Sequence, residues 1–493
     1  MLFNSIAFLI FLPLVFFTYW KLLAKSLHWQ NMFVLVASYF FYGWWDWRFL
    51  ILIFISSLAD YIVGPYIEKA NSLKTKRLWF SVSLIVNLGM LGFFKYYNFF
   101  VDSFIDSFSF FGYNLSKPAL SIILPVGISF YTFQTLSYSI DIYRGRIKAT
   151  HDFVPFFAFV SFFPQLVAGP IERASHLLPQ FQKTRTFNAD FAISGLRIML
   201  WGFFKKVVIS DNLAPVVDSV YASPDLFGGT QIWMASILFS LQVYTDFSGY
   251  SDIAIGCGRL LGFDLMTNFK TPYFSRTFAE FWNRWHISLN TWFRDYVYIP
   301  LGGSRVSDTM WSANILIVFT ISGFWHGASW TYIFWGALCA VFIIYARFTQ
   351  SIGNRMLSGI GLSQENWFKH VYDVVAVFML FTFTLIFFRA NNSSDLFVLL
   401  DKAFYGTISD LYNPIQSLGS ALDIFTSARQ MSVLFLSVGF LFVVDLLLNE
   451  RDFADYLKGR PTVFRWTSYF LITAWIILFG AFSRPENFVY FQF

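Results

Sequence analysis

The chain has 493 residues, of which 56% are apolar and only 13% are charged. Soluble domains carry about 25% charged residues, so the composition predicts an integral membrane protein and excludes an ordinary soluble enzyme. A formal net charge of +6 does not require a nucleic-acid partner, because extra lysine and arginine on cytoplasmic loops accounts for it. Cys257 and Cys339 lie in apolar surroundings, which predicts two buried thiols rather than a disulfide.

Apolar runs recur along the whole chain and predict an all-helical membrane protein. We expect about 11 to 13 membrane segments, several of them too short or too rich in proline for a simple crossing. With no repeat and no long linker visible, we expect one domain over residues 1–493. The runs, in chain order, are Leu2–Trp20, Met32–Trp45, Phe49–Ile67, Leu78–Phe94, Ala119–Ile140, Phe153–Ile171, Phe191–Phe204, Leu226–Thr245, Thr309–Trp325, Gly327–Ala346, Val374–Phe388, Gln430–Val444 and Trp466–Ser483. The three prolines of Phe153–Ile171 make that run a candidate re-entrant segment.

Basic residues predict the orientation in the bilayer. Clusters follow the first and third runs and the run that ends near Ile140, and another cluster precedes the last run. The positive-inside rule assigns all four loops to the cytoplasm. Both the N-terminus and the C-terminal tail are then expected on the outer side. The basic residues concerned are Lys21, Lys25, Lys69, Lys74, Lys76, Arg77, Arg144, Arg146, Lys148, Lys458, Arg460 and Arg465.

Two histidines lie where ionisable groups are costly. His326 separates two long runs that contain no charged residue, and such a residue indicates function. Imidazole is the side chain best suited to move protons near neutral pH. The plain alternative is a helix-end histidine bonded to a carbonyl. His286 lies in Phe278–Tyr296, where apolar and charged residues fall on opposite helical faces; this predicts an interfacial helix with His286 turned toward protein.

Two polar groups of residues have both a functional and a structural interpretation. The first could support the site, line a tunnel or form a purely structural network; it consists of Tyr244, Asp246, Ser248 and Asp252. The second could meet the phosphates of an acyl donor or simply extend to the membrane interface; it consists of Arg284, Arg294 and Arg305.

Several stretches resemble the membrane-bound O-acyltransferases, the MBOAT family. They are most similar to its bacterial branch of alginate O-acetylases, peptidoglycan O-acetyltransferases and teichoic-acid D-alanyl transferases. The stretches run over residues 163–172, 242–252, 285–288, 292–303 and 324–329. The resemblance implies a ring of tilted helices around a thin centre with a transmembrane tunnel. It also implies that His326 is the catalytic base and that His286 positions the donor or stabilises an oxyanion.

The tail over residues 488–493 is similar to a C-terminal Phe-x-Tyr-x-x-Phe motif of this branch. There the tyrosine is implicated as an acyl carrier, and Tyr490 matches it. A phenol has an ordinary pKa of about 10 and accepts an acyl group when a base is near. The alternative is an aromatic anchor at the membrane interface.

The resemblance implies an O-acetyltransferase of the bacterial inner membrane, with both termini periplasmic. It would pass acetyl from cytosolic acetyl-CoA, without a bound cofactor or metal, to an extracytoplasmic polysaccharide such as alginate or peptidoglycan. The glycan would be reached through a periplasmic SGNH-type O-acetyltransferase partner. A lipid or protein acyltransferase of the same fold stays open, as does a transporter, although no repeated halves are visible.

Overall fold

The computed structural model describes residues 1–113, 115–116, 120, 122–167, 169–359, 366–482 and 486–491, without the side chains of residues 350–359 and 491. Several predicted stretches fall partly outside this range, including Phe153–Ile171, whose residue 168 is not described, and Trp466–Ser483, whose last residue is not described. Residues 119 and 121 of the apolar run Ala119–Ile140 are not described, and neither are the last two residues of the tail motif.

The regular elements of the described chain are helices, as predicted. Those before residue 230 are α1 Ile6–Phe17, α2 Leu27–Gly43, α3 Leu50–Glu68, α4 Leu73–Leu91, α5 Tyr97–Phe110, α6 Ile128–Tyr143, α7 Phe153–Ser161, α8 Phe163–Leu166, α9 Ala174–Phe181, α10 Ala189–Phe203, α11 Asp211–Tyr221 and α12 Gly229–Leu260. Those that follow are α13 Phe278–Arg284, α14 Ile287–Phe293, α15 Asp308–His326, α16 Trp330–Gly359, α17 Trp367–Arg389, α18 Ser393–Asp401, α19 Thr407–Asp410, α20 Pro414–Leu422, α21 Ala428–Leu448, α22 Phe453–Lys458 and α23 Thr462–Phe479.

Shorter helical turns connect or extend these helices. Wider, π-helical turns cover Thr18–Leu22, Gly92–Tyr96, Phe204–Ser210, Arg294–Tyr298 and Lys402–Gly406, and tighter 3-10 turns cover Trp47–Phe49, Pro224–Leu226, Pro272–Phe274 and Val489–Phe491. π-Helical turns are rare and recur at functional sites. The turn Phe204–Ser210 contains Lys206, which contacts the C-terminal tail.

Within the described residues, six helical stretches are long and apolar enough to cross a membrane. They are Trp47–Glu68, Leu73–Phe110, Trp330–Thr349, Trp367–Arg389, Ala428–Leu448 and Thr462–Phe479. Two shorter apolar stretches, Ile6–Leu22 and Phe153–Leu166, accompany them. These helices make the chain a multi-pass membrane protein. Other predicted runs lie on helices that are shorter or less apolar, so the larger predicted number of segments stays a prediction.

The described residues fold as two compact units. One comprises Met1–Leu196 and Ile253–Met266, and the other comprises Arg197–Asp252 and Thr267–Phe493. Every site residue predicted from the sequence belongs to the second unit. The single domain over residues 1–493 stays a prediction. Cys257 and Cys339 are both buried free thiols, as expected from their surroundings.

The prediction of one continuous interfacial helix over Phe278–Tyr296 is wrong. The segment breaks into α13 and α14, because Trp285 is extended and His286 adopts a left-handed backbone with φ 44° and ψ 52°. A helix cannot pass through a left-handed residue. The break replaces a straight amphipathic strip with a sharp turn whose tip is His286. The inward orientation expected for His286 is confirmed, since its residue surface is only 1% exposed.

Candidate active site

His326 is the last residue of α15, at the joint that the sequence predicted. The helix ends there because Gly327 is extended, with φ −159°. The joint is packed closely against the next helix: a Cβ on Gly323 would lie 2.2 Å from the carbonyl oxygen of Tyr332, and one on Gly327 would lie 2.2 Å from the Tyr332 ring. Two glycines therefore allow the end of α15 to approach α16, which fixes the position of His326.

Aromatic rings surround the imidazole of His326, which is 5% exposed. The Trp335 ring centroid lies 5.1 Å away and meets it edge-on, and the Phe388 centroid lies 5.7 Å away. The centroid of His286 lies 6.2 Å away. The two histidines singled out in the sequence, forty positions apart, thus face the same small volume.

The backbone turn at His286 is held by two asparagines. The carbonyl oxygen of Asn268 accepts the Ile287 N–H at 2.9 Å, and its side-chain oxygen accepts the Ser288 hydroxyl at 2.8 Å. The Asn290 amide donates to the carbonyl oxygens of Trp282 and Trp285, both at 2.6 Å. Non-glycine residues at positive φ are uncommon and cluster at functional sites. Neither asparagine was singled out in the sequence, since nothing in its spacing shows which backbone it will bind.

The side chain of His286 is buried without a hydrogen bond. Neither ring nitrogen has a hydrogen-bond partner among the described residues, and the Phe247 ring meets the imidazole edge-on at 4.6 Å. Burial lowers the pKa of His286 to about 3, so the ring is neutral at physiological pH. Buried polar groups in native proteins are nearly always hydrogen-bonded. The two ring nitrogens of His286 are such an exception. Their position beside a second histidine is consistent with binding a substrate.

Tyr490 brings its phenol to both histidines. Its ring centroid lies 5.4 Å from that of His326 and 6.2 Å from that of His286. Phe247 packs against it at 4.6 Å. The ring keeps part of its surface exposed. Burial, and secondly the charge of Asp246, raise the pKa of Tyr490 above its ordinary value, so the phenol keeps its proton unless a base removes it.

The tail that carries Tyr490 is bound through its backbone as well as through its rings. The Val489 N–H donates to the Asp246 carboxylate at 2.6 Å, and Lys206 donates to the carbonyl oxygen of Glu486 at 3.3 Å. Phe488 is fully buried and stacks on Tyr490, with ring centroids 5.3 Å apart.

Asp246 belongs to a buried charge cluster, and it is the one member of that cluster that was predicted from the sequence. The Lys206 ammonium lies 2.7 Å from Asp246 and 2.6 Å from Asp211, and all three side chains are at most 1% exposed. Burial disfavours the ammonium, but Asp246 and Asp211 outweigh it and hold the pKa of Lys206 above its usual range. The sequence offered one signal that was not used: two lysines directly follow the apolar run Phe191–Phe204.

The other members of the predicted polar patch have separate partners. The Tyr244 hydroxyl donates to Asp445 at 2.7 Å, and Asp252 pairs with Lys205 at 2.8 Å. The Ser248 hydroxyl is buried, and no described residue hydrogen-bonds to it. The Lys205 ammonium also lies 5.9 Å from the Tyr244 ring centroid. Within the patch, Asp246 accepts a hydrogen bond from the tail.

The three arginines lie in different environments. Arg284 pairs with Glu280 at 2.6 Å and with Glu450 at 2.8 Å. Arg305 is exposed. Arg294 pairs with the neighbouring Asp295 at 2.8 Å and lines a cavity of about 310 Å³, whose lining includes neither of the other two. A shared phosphate-binding role for all three stays a prediction.

The cavity is lined by residues that are close to both histidines in the sequence, although neither histidine lines it. Ile287, next to His286, contributes to its wall, and so does Ser322, one turn before His326 on α15. The remaining wall is mainly apolar and aromatic, with Asn290 and Arg294 among its polar groups. Ligand pockets combine such apolar walls with a few polar groups that fix orientation.

Comparison with known proteins identifies the family of the chain. The model of the membrane-bound O-acyltransferase family matches residues 146–389, which include both histidines. The chain is 43% identical to "Probable alginate O-acetylase AlgI" of Azotobacter vinelandii, over 68% of this chain and 67% of the relative. The chain belongs to the MBOAT family.

Two further relatives extend the match over more of this MBOAT chain. The protein of the same name in Pseudomonas aeruginosa is 39% identical, over 80% of the chain and 72% of the relative. The peptidoglycan O-acetyltransferase of Helicobacter pylori is 36% identical, over 80% of the chain and 77% of the relative. The predicted family and branch are thereby confirmed, and the chain is an O-acyltransferase rather than a transporter.

Proposed function

We propose that this MBOAT protein is a bacterial inner-membrane O-acetyltransferase that serves the acetylation of an extracytoplasmic polysaccharide. The donor is acetyl-CoA on the cytosolic side, and the acceptor glycan is alginate-like or peptidoglycan. Relatives named for alginate and for peptidoglycan O-acetylation support this choice of substrate class.

One observation supports the mechanism above all others. The ring centroid of Tyr490 lies 5.4 Å from that of His326, so a candidate nucleophile and a candidate base that are distant in the sequence lie side by side. An aromatic anchor at the membrane interface would have no reason to lie against a pair of histidines. An acyl carrier needs a base close to its hydroxyl, and the neighbouring rings of Tyr490 and His326 support that role.

In the proposed first step the Tyr490 hydroxyl oxygen attacks the thioester carbonyl carbon, and His326 takes the phenolic proton. A new oxygen–carbon bond forms, the carbon–sulfur bond breaks, and the CoA thiolate leaves with the proton returned from His326. The neutral imidazole of His286 donates a hydrogen bond to the carbonyl oxygen as negative charge develops there. Its unfilled hydrogen-bonding capacity supports this role.

In the second step a hydroxyl of an acceptor attacks the acetyl ester on Tyr490. The phenolate leaves and takes up the proton of that hydroxyl. An aryl ester is more reactive than an alkyl ester, which makes the transfer favourable. We propose that the acceptor is the serine of a periplasmic SGNH-type transferase, which then acetylates the glycan.

The cavity that Arg294 lines is proposed to receive the thioester arm of the donor. Its apolar walls suit the thin acyl-pantetheine chain, and Arg294 suits a phosphate. The outer location of both termini, inferred from the basic loops, supports a path that begins at the cytosolic face and ends at the tail.

The proposal is tested with His326→Ala, compared with His151→Ala as a matched control. His151 is an exposed histidine of a loop. We expect His326→Ala to lower glycan acetylation in cells by about 10²- to 10⁴-fold, the usual contribution of a general base. His151→Ala should retain full activity. Equal amounts of folded protein in the membrane are verified by size-exclusion chromatography. Retained acetylation in His326→Ala would refute the assignment.

A further inference from the structure

The C-terminal tail meets the buried cluster of Lys206, Asp211 and Asp246 through main-chain groups. One cation and two carboxylates leave this cluster with a formal excess of one negative charge. The second oxygen of Asp246 accepts the Val489 N–H at 2.6 Å, and Lys206 reaches the carbonyl oxygen of Glu486 at 3.3 Å. A buried carboxylate is stabilised by N–H donors beyond its ion pair, and here the tail provides one.

The start of the tail is fixed to the same segment. Lys206 lies in the π-helical turn Phe204–Ser210, and the carbonyl oxygen of Val207 in this turn accepts the Ala481 N–H at 3.0 Å. Asn212, just beyond the turn, donates to the carbonyl oxygen of Phe479 at 2.9 Å. The chain that leaves α23 is therefore bound to one segment at its beginning and near its end.

We infer that Lys206 and Asp246 are positioning residues: they bind the backbone of residues 486–489 and thereby hold the hydroxyl of Tyr490 at the histidines. The inference rests on the proposed carrier role of Tyr490, and it gives the ion pair a part in acyl transfer. Since the contacts are to main-chain atoms, the position of Tyr490 depends on the backbone path of the tail more than on the side chain of Val489.

A purely structural brace would not need this arrangement. An ion pair that only joined its own helices would direct its hydrogen bonds to those helices. Here the carboxylate and the ammonium each bind one backbone group of the tail, three residues apart, directly before Tyr490. The side chain that follows the anchored N–H is the one that meets both histidines.

The test changes the tail and leaves the buried charges intact, because removal of one partner from a buried ion pair can prevent folding. Val489→Pro removes the N–H that Asp246 binds. Val489 begins the 3-10 turn Val489–Phe491, and proline is tolerated at the first position of a helical turn. Val489→Ala is the matched control, since it shortens the side chain and keeps the N–H.

Purified full-length variants are incubated with acetyl-CoA labelled in the acetyl group, and the C-terminal peptide is analysed by mass spectrometry. We expect wild type and Val489→Ala to acquire the label on Tyr490. Val489→Pro should acquire it at least about tenfold more slowly, as expected for the loss of a hydrogen bond to a charged group.

A second measurement reports the position of residue 490 and does not depend on acetyl transfer. In Tyr490→Cys, the thiol should react slowly with a polar maleimide, and addition of Val489→Pro should accelerate the reaction. Cys257 and Cys339 are buried and provide the unreactive background. Equal label and equal thiol reactivity in Val489→Pro and Val489→Ala would overturn the inference. An unlabelled Tyr490 in wild type, with the thiol still protected, would instead overturn the carrier role and leave the anchoring intact.

Discussion

Two buried aspartates, one in each compact unit, show opposite uses of the same side chain. Asp60 on α3 accepts hydrogen bonds from Ser83, from the Asn87 amide at 2.9 Å and from the Ser139 hydroxyl at 2.8 Å. Asp246 on α12 pairs with Lys206, and its other oxygen accepts the backbone N–H of Val489 in the tail.

The two aspartates differ in the parts of the chain that their hydrogen-bond partners come from. The donors to Asp60 come from α4 and α6, so the carboxylate joins three helices of its own unit and is satisfied by neutral groups. The partners of Asp246 include the tail segment that carries Tyr490. The two ring nitrogens of His286 have no hydrogen-bond partner among the described residues. A satisfied polar cluster stabilises a scaffold, whereas unfilled capacity beside a charged anchor indicates a reaction site.

The largest effect that separates the two regions is expected for His286. His286→Ala should lower acetyl transfer by about 10²- to 10³-fold, as for the loss of one oxyanion donor, with little change in folded protein. The assay is transfer of labelled acetyl per milligram of monodisperse enzyme. His286→Ala with wild-type activity would remove this residue from the site.

Asp60→Asn should have the reverse profile. We expect the free energy of unfolding to fall by about 1–3 kcal/mol, because the substitution replaces one acceptor oxygen of the buried hydrogen-bonded network with an amide donor. Activity per folded molecule should stay within twofold of wild type. Thermal unfolding in detergent measures the first quantity, and labelled acetyl transfer measures the second. A large loss of activity at unchanged stability would erase the contrast with Asp246.

Burial of His286 also makes the stability of the protein depend on pH. Burial lowers the pKa of His286 from 6.5 to about 3, so the unfolded chain takes up a proton below 6.5 and the folded chain does not. His286 therefore leaves the free energy of unfolding unchanged with pH above 6.5. Below pH 6.5 it lowers this free energy by about 1.4 kcal/mol per pH unit. Unfolding of His286→Asn, measured from pH 7 to 5, should show a correspondingly shallower decline. An unchanged slope would contradict the burial of a neutral imidazole.

The smallest effect is expected at the cavity. Arg294→Gln should raise the KM for acetyl-CoA by about two- to fivefold, the scale of an exposed ion pair, with little change in kcat. Arg305→Gln is the matched control, because Arg305 is exposed and does not line the cavity. Equal effects of the two substitutions would argue against the cavity as the donor site.

The sequence singled out residues that the structure brings together, but it did not predict their local geometry. His326 stands out because charge is absent on both sides of it, and that signal depends on composition alone. Tyr490 was found through a short motif. The helix break at His286 was missed, because the turn depends on bonds from Asn268, eighteen positions earlier, that periodicity does not encode.

The anchor was missed for the same reason. Lys206 and Glu486 are separated by 280 positions, and a single sequence does not reveal which distant backbone a buried lysine will bind. Asp246 was singled out for its cost at membrane depth, yet the use of that charge became visible only with the tail beside it. Pairings across long separations are the part of the site that required the structure.

The most direct test of the account is the position of the acetyl group after one turnover. Wild type, His326→Ala and Tyr490→Phe are incubated with labelled acetyl-CoA in the absence of any acceptor, and the C-terminal peptide is isolated. We expect an alkali-labile label on Tyr490 in wild type and none in either variant. An unlabelled tail in wild type, together with normal glycan acetylation in cells that carry Tyr490→Phe, would contradict it, because acetyl would then pass directly from the donor to the acceptor.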